Sequence, residues 1–290
     1  MIDLHTHSTA SDGTFSPSQL IDYAHKQNLQ AIALTDHDSV NGISEAQEEA
    51  KKLGIIFIPG IEISIDWPTG EFHLLGLGLK SLSPELKKII EFLEEERCER
   101  NKKMATKLQD CGININYEEL VDFYHTENIG RPHFAAMMLK KGLVKQRQQA
   151  FDLYFAKGRP CYVERKGADL EESVKAIKAS GGIPIQAHPM SMYVSWGKMD
   201  ATMEDVISKG VEGLEAYHPG VRYSEARRLE ELGKKMNIIV TAGSDFHGEK
   251  IRADRKIGYT AGKIKIEDKY FFENLKPALD KLHPDYWFES

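Results

Sequence analysis

The first thirteen residues carry the most open chemistry. In His5-Thr6-His7-Ser8-Thr9-Ala10-Ser11-Asp12-Gly13, two imidazoles stand two positions apart directly after Ile2-Asp3-Leu4. If a strand continues that far, alternation puts both on one face, where they can reach a single ion. Asp12 falls on the turn that follows, and Gly13 frees the backbone there. Taken alone, the stretch is equally well read as a strand that happens to carry two histidines, because short motifs often match by chance.

The elements behind the other polar residues repeat one placement. Ala31 to Thr35 is a short apolar run of the kind buried in parallel sheets, and it ends in Asp36-His37-Asp38. Ile55 to Ile63 holds a single carboxylate, Glu62, which is costly in such a run unless it is paired or liganded. His73 lies on the run Glu71 to Leu77, Ile183 to Ala187 ends in His188-Pro189, and Gly213 to Tyr217 ends in His218-Pro219. Ile238 to Ala242 ends in Gly243-Ser244-Asp245-Phe246-His247. Helices are expected between them: from a Ser16 cap and Pro17 to Gln27, Ile43 to Leu53 with Gly54 as its stop, Glu171 to Ser180, Ala201 to Lys209 and Ser224 to Met236. Six or seven strands that deliver His, Asp or Glu at their carboxyl ends predict a parallel barrel. An open doubly wound sheet would gather such residues mainly at one switch point.

Residues 81–160 have a different character. Helical segments are expected over Glu85 to Leu108, Tyr117 to Phe123, Pro132 to Lys141 and Lys145 to Phe155, and the charge-dense residues 91–103 read as a solvated helix face. The chain is therefore divided into a discontinuous barrel, 1–80 and 161–290, and a helical insertion, 81–160.

Composition narrows the function. The 290 residues carry a net charge of -6 and 41% hydrophobic content, so the chain can bury a full core. The acidic balance argues against coating of long nucleic acid by bulk charge but permits a small anionic substrate, with local positive charge supplied by metals. Cys98, Cys111 and Cys161 form no C-x-x-C pair, fit a reducing compartment and are expected to pack as small hydrophobes. With no basic start before an apolar run and no membrane-length apolar stretch, the protein is expected to be cytoplasmic.

Taken in order, His5-x-His7-Ser8-x-x-Ser11-Asp12-Gly13, Thr35-Asp36-His37-Asp38, Gly60-Ile61-Glu62, His73-Leu74-Leu75-Gly76, Ala187-His188-Pro189 and Gly243-Ser244-Asp245-Phe246-His247 resemble the motifs of the polymerase and histidinol phosphatase (PHP) superfamily. The insertion with Gly130-Arg131-Pro132-His133 resembles the branch of small metal-dependent phosphoesterases that act on nucleoside 3',5'-bisphosphates and short RNA. The resemblance implies an α/β fold, a distorted (βα)7 TIM-like barrel, holding two to three divalent ions. By motif, His5, His7, Glu62 and Asp245 would hold the first ion, and Glu62, His73 and His188 the second, with Glu62 bridging. Asp12, His37 and His247 would hold a third. Some members have His at the position of Asp12, and the harder carboxylate shifts preference toward manganese or iron and away from zinc.

Chemistry follows from that set. Two ions about 3.5–4 Å apart can hold a bridging hydroxide and clamp phosphoryl oxygens, so attack at phosphorus needs no side-chain nucleophile. Glu62 and Asp245 count as catalytic through the ions they hold. Arg131 and Arg159 each follow Gly and precede Pro, a rigid presentation suited to a phosphate or to a salt bridge. Arg131 is favoured as a phosphate contact, with His133 beside it. His218 is expected to touch substrate or to protonate the leaving oxygen. Asp36 and Asp38 either orient imidazoles or cap the next helix, and Asp3 has the same ambiguity. Tyr193, Trp196, Tyr217 and Tyr223 are placed on loops after strands, more often packing than base-stacking; His25, His125 and His283 are read as ordinary. The expected activity is hydrolysis of a terminal phosphate from a nucleotide or short oligonucleotide. The alternatives are a histidinol-phosphate phosphatase and a non-catalytic metal-binding interaction module.

Overall fold

The structure is a computed structural model that describes residues 1–124, 129–249, 254–283 and 288. The expectation for His125 lies outside these residues. The chain forms two compact units, one of residues 1–90 and 167–290 and the other of Glu91–Lys166.

The first unit is built on a seven-stranded sheet in the order β1 to β7: β1 Ile2–Asp3, β2 Ala31–Leu34, β3 Ile56–Ile65, β4 Phe72–Leu77, β5 Ile183–Ala187, β6 Gly213–Tyr217 and β7 Ile239–Ala242. The sheet curls until its ends nearly meet. The Leu4 N–H reaches the Ala242 carbonyl at 3.3 Å, the His7 N–H donates to the Phe246 carbonyl at 2.9 Å, and Thr6 bridges Phe246. Local chemistry sets the helices between strands. In α1 (Pro17–Lys26) the Ser16 hydroxyl accepts from the Gln19 N–H at 3.3 Å and the Gln19 side chain returns a bond to the Ser16 N–H at 3.0 Å, while Leu20, Ile21 and Ala24 face the core. α2 (Ile43–Leu53) stops at Gly54, whose φ of 70° no β-carbon opposes.

One expectation fails: the barrel is not wholly parallel. β4 runs antiparallel to both β3 and β5, with Ile65 opposite Phe72 and His73 opposite both Ser64 and Ala187. His73 therefore stands at the amino end of its strand. Because that strand is reversed, the amino end lies at the same rim as the carboxyl ends of its neighbours. The short segment Asp66 to Glu71 makes the reversal, with Gly70 at φ 59°.

The second unit contains most of α3 (Pro84–Asp110), all of α4 (Tyr117–Tyr124), α5 (Arg131–Lys140) and α6 (Arg147–Ala150), and a π-turn over Phe151–Phe155. Its core is apolar: Leu108, Ile115, Leu120, Ile129, Phe134, Met138 and Phe155 are buried together. Cys161 packs there as expected, but Cys111 is exposed, its sulfur 3.8 Å from that of Cys161.

Candidate metal centre

Sheet register assembles the site. Past the end of β2 the backbone stays paired with β3: the Asp38 N–H donates to the Glu62 carbonyl at 2.9 Å and the Glu62 N–H to the Asp36 carbonyl at 3.1 Å, which puts His37 beside Glu62. Gly60 permits this approach, since a β-carbon there would lie 2.9 Å from Thr35 Cγ2. Gly13 lets its turn fold against the His7 carbonyl, 2.5 Å from where its β-carbon would stand.

Glu62 is the centre. It is fully buried, and its Oε2 faces His37 Nδ1 at 2.8 Å, His7 Nε2 at 3.3 Å and His5 Nε2 at 3.4 Å. Its Oε1 faces His73 Nδ1 at 2.9 Å and His188 Nε2 at 3.0 Å. Asp245 Oδ1 completes one side, 3.1 Å from His7 Nε2 and 3.6 Å from His5 Nε2. Asp12 Oδ1 lies 3.1 Å from His247 Nε2. Three ligand groups result: His5, His7, Glu62 and Asp245; His37, Glu62 and His73; and His7, Asp12, His37 and His247. All nine residues assigned to metals by motif thus meet at one rim. His188 joins through Glu62, and His7 and His37 are each shared between two groups.

These residues fit divalent cations. His5 Nε2, both nitrogens of His7, Asp12 Oδ1, His37 Nδ1 and Glu62 Oε2 are buried with no hydrogen-bond partner among the described residues. Groups so placed are costly unless a cation satisfies them. Several imidazoles also have one nitrogen tied and the other aimed inward. His247 Nδ1 donates to the Asp245 carbonyl at 2.9 Å, and His188 Nδ1 lies 2.8 Å from Ser191 Oγ, whose own proton goes to a backbone carbonyl. The backbone is strained where it turns into the site, with φ 29° at His188 and 49° at Asp245.

Charges at the rim act strongly on one another. Burial would raise the Glu62 carboxyl, but His37, His5 and His73 hold it well below the usual range. Asp245, also buried, is held low by Arg255, His247 and His5. Burial, with the neighbouring charges of His247 and His37, pushes His7 down to about 3. His247 resists burial and is pushed up to about 9 by Asp12 and Asp245. The site thus holds ionised carboxylates against a neutral His7 and a His247 that must give up a proton to become a ligand.

The remaining predicted residues are placed as follows. His218 is 5% exposed; its Nδ1 accepts from the Gly220 N–H at 3.0 Å, its Nε2 lies 2.6 Å from Arg255 Nη1 and 3.1 Å from Asp245 Oδ2, and burial pulls its pKa down to about 4. Arg131 and His133 open α5 in the second unit, where His133 Nδ1 accepts from the Gly130 N–H at 2.9 Å and so closes the helix start. Arg159 is exposed in a turn of the same unit. Asp36 caps no helix: it accepts from both the N–H and hydroxyl of Ser8 at 2.7 Å and so pins the turn that carries His7 and Asp12. Asp38 accepts from the Ser64 N–H at 3.0 Å, and Asp3 from the N–H groups of Ser244, Gly258 and His5. Tyr217 lies on β6 itself, buried and bonded to Glu230 at 2.7 Å. Trp196 lies under the Arg228 guanidinium, whereas Tyr193 is exposed.

Two residues that touch the candidate site escape the sequence reading. Arg255 is 6% exposed and pairs with Asp245 Oδ2. No pattern in its loop betrays it. Glu215 is buried in β6, bonded to His5 Nδ1 at 3.0 Å. The signal was available: like Glu62, it is a lone carboxylate in an apolar strand.

Comparison with known proteins agrees with this geometry. The model of the PHP domain family matches residues 3–157. A 5'-3' exoribonuclease of Haemophilus influenzae is 33% identical over 84% of this chain and 89% of its own length. A 3',5'-nucleoside bisphosphate phosphatase of Chromobacterium violaceum is 32% identical over 89% and 91%. The solved structure of an amidohydrolase from C. violaceum, with bound sulfate, superposes with a TM-score of 0.86 at 29% identity, covering 97% of this chain and 96% of that one. Among the described residues no helix is long and apolar enough to cross a membrane. The chain belongs to the PHP domain family and is a metal-dependent phosphoric ester hydrolase.

Proposed function

We propose that the enzyme removes a terminal phosphate from a 3',5'-bisphosphonucleoside or a short oligonucleotide. One observation carries the chemistry: both oxygens of one buried carboxylate, Glu62, face five imidazole nitrogens within 3.4 Å. The substrate class is supported by the activities named for the two bacterial relatives.

In this reading His5, His7, Glu62 and Asp245 hold one ion, and Glu62, His73, His188 and His37 a second. Asp12 and His247, with His7 and His37, hold a third, and the carboxylate there favours manganese or iron over zinc. When bound, such ions supply an acidified water and a clamp for phosphoryl oxygens. The protein's part is preorganisation. Glu62 keeps both oxygens turned inward, Asp36 fixes the turn of His7 and Asp12, and Arg255 offsets the outer oxygen of Asp245. His218, whose Nε2 stands 3.1 Å from Asp245 Oδ2, is retained as the group that touches substrate or protonates the leaving oxygen. Arg131 is retained as a phosphate contact, presented rigidly between Gly130 and Pro132, with Arg159 as a weaker candidate.

Manganese-loaded protein assayed against a 3',5'-bisphosphonucleoside, 5'-phosphorylated di- to pentanucleotides and histidinol phosphate tests the proposal. Release of phosphate or mononucleotide from the nucleotide substrates, with KM raised about tenfold in Arg131→Ala, is expected. Turnover of histidinol phosphate alone would replace this reading, and turnover of none would end it.

A further inference from the structure

Glu215 belongs to none of the three ligand groups, yet it touches two of the residues that build the site. Its Oε1 accepts from His5 Nδ1 at 3.0 Å, and its Oε2 accepts from the backbone N–H of His188 at 2.9 Å. The first contact fixes a tautomer. With its proton on Nδ1, His5 turns Nε2 toward Glu62 Oε2 at 3.4 Å and Asp245 Oδ1 at 3.6 Å. The second contact holds a backbone. His188 sits at φ 29°, ψ 67°, a conformation that side-chain-bearing residues rarely adopt, and from it the ring reaches Glu62 Oε1 at 3.0 Å.

Space for this carboxylate is made by its neighbour. A β-carbon on Gly243, at the end of β7, would lie 2.6 Å from Glu215 Oε1. A charge 1% exposed in an apolar strand is expensive, and here each oxygen offsets that cost by fixing a different ligand.

We propose that Glu215 is a positioning residue that sets one imidazole in the first ion-holding group and one beside the second, so that the two form together. This rests on the assignment of His5 and His188 as metal ligands. The test titrates metal-free wild type, Glu215→Gln and Glu62→Gln with manganese by calorimetry, with circular dichroism to confirm folding. An amide offers one oxygen where the carboxylate offers two, so at least one contact is lost. Glu215→Gln is expected to keep its fold, to bind manganese about 10- to 100-fold more weakly, and to lose kcat more than KM. Wild-type manganese binding by folded Glu215→Gln, alongside weak binding by Glu62→Gln, would overturn the role of Glu215. Wild-type binding by Glu62→Gln would instead remove the ligand assignment beneath it. Should Glu215→Gln not fold, histidine-labelled wild type loaded with zinc decides by nitrogen NMR. His5 is expected to retain a proton on Nδ1, and a proton on Nε2 would overturn the proposal.

Discussion

The two units bury opposite things. At the barrel rim the buried residues are His5, His7, Glu62, His188, Asp245 and His247, whereas in the helical unit they are Leu108, Ile115, Leu120, Phe134 and Phe155. The helical core gains stability by removing apolar surface from water. The rim spends stability, because its charges are desolvated and several of its polar atoms have no hydrogen-bond partner among the described residues. A region that gives up stability in the absence of a ligand is built for that ligand, while one packed with Phe and Leu is complete as it stands.

The largest test strikes the rim. Glu62→Gln removes the charge that five imidazoles face, and is expected to lower kcat by roughly 10³-fold, the scale of losing a preorganised charged group, together with bound metal measured by elemental analysis. Activity within tenfold of wild type would break the contrast, since the rim would then not depend on its central carboxylate. Next in size, Phe134→Ala should cost about 3–5 kcal/mol by opening a cavity in the helical core, read by denaturant unfolding. Manganese affinity of the folded protein should stay at the wild-type value; a parallel loss would mean that the two buried regions are not separate in energy. A smaller effect is expected on stripping the metal. At ions 100-fold above their dissociation constant, loading stabilises by about 2.7 kcal/mol. The gain should appear in hydrogen exchange at residues 5–7, 35–38, 186–188 and 242–247, and not at 104–120 or 131–140. Equal protection of both sets would blur the comparison.

Much of this was legible because it is local. The Ser16 and Gln19 pair that opens α1, the Gly54 stop of α2 and the apolar runs of β2, β5 and β7 each act within a few residues. The histidines stood out because most lie at or just past the end of an apolar run, and their assignment to ions came from the resemblance to the PHP motifs. The direction of β4 did not, since alternation along a strand is the same read either way. The clue was Pro68-Thr69-Gly70 between two apolar runs, a hairpin signal set within six residues, too few for a crossover helix. The Nδ1 of His133, expected beside a phosphate contact, also closes its own helix start, a role the sequence reading did not assign.

By itself the sequence determined which residue types stand at the strand ends, and so the class of chemistry and the need for a cation. Tertiary structure alone decided which of them meet. Glu62 and His188 are 126 positions apart, Asp12 and His247 farther still, and Glu215 reaches back 210 positions to His5. Such pairings are set by sheet register and closure, which bring strand ends within hydrogen-bond reach whatever their separation along the chain. That is why His5 and His7, ambiguous as a pair on a strand, become an inward-facing set only when β3, β5, β6 and β7 are placed around them.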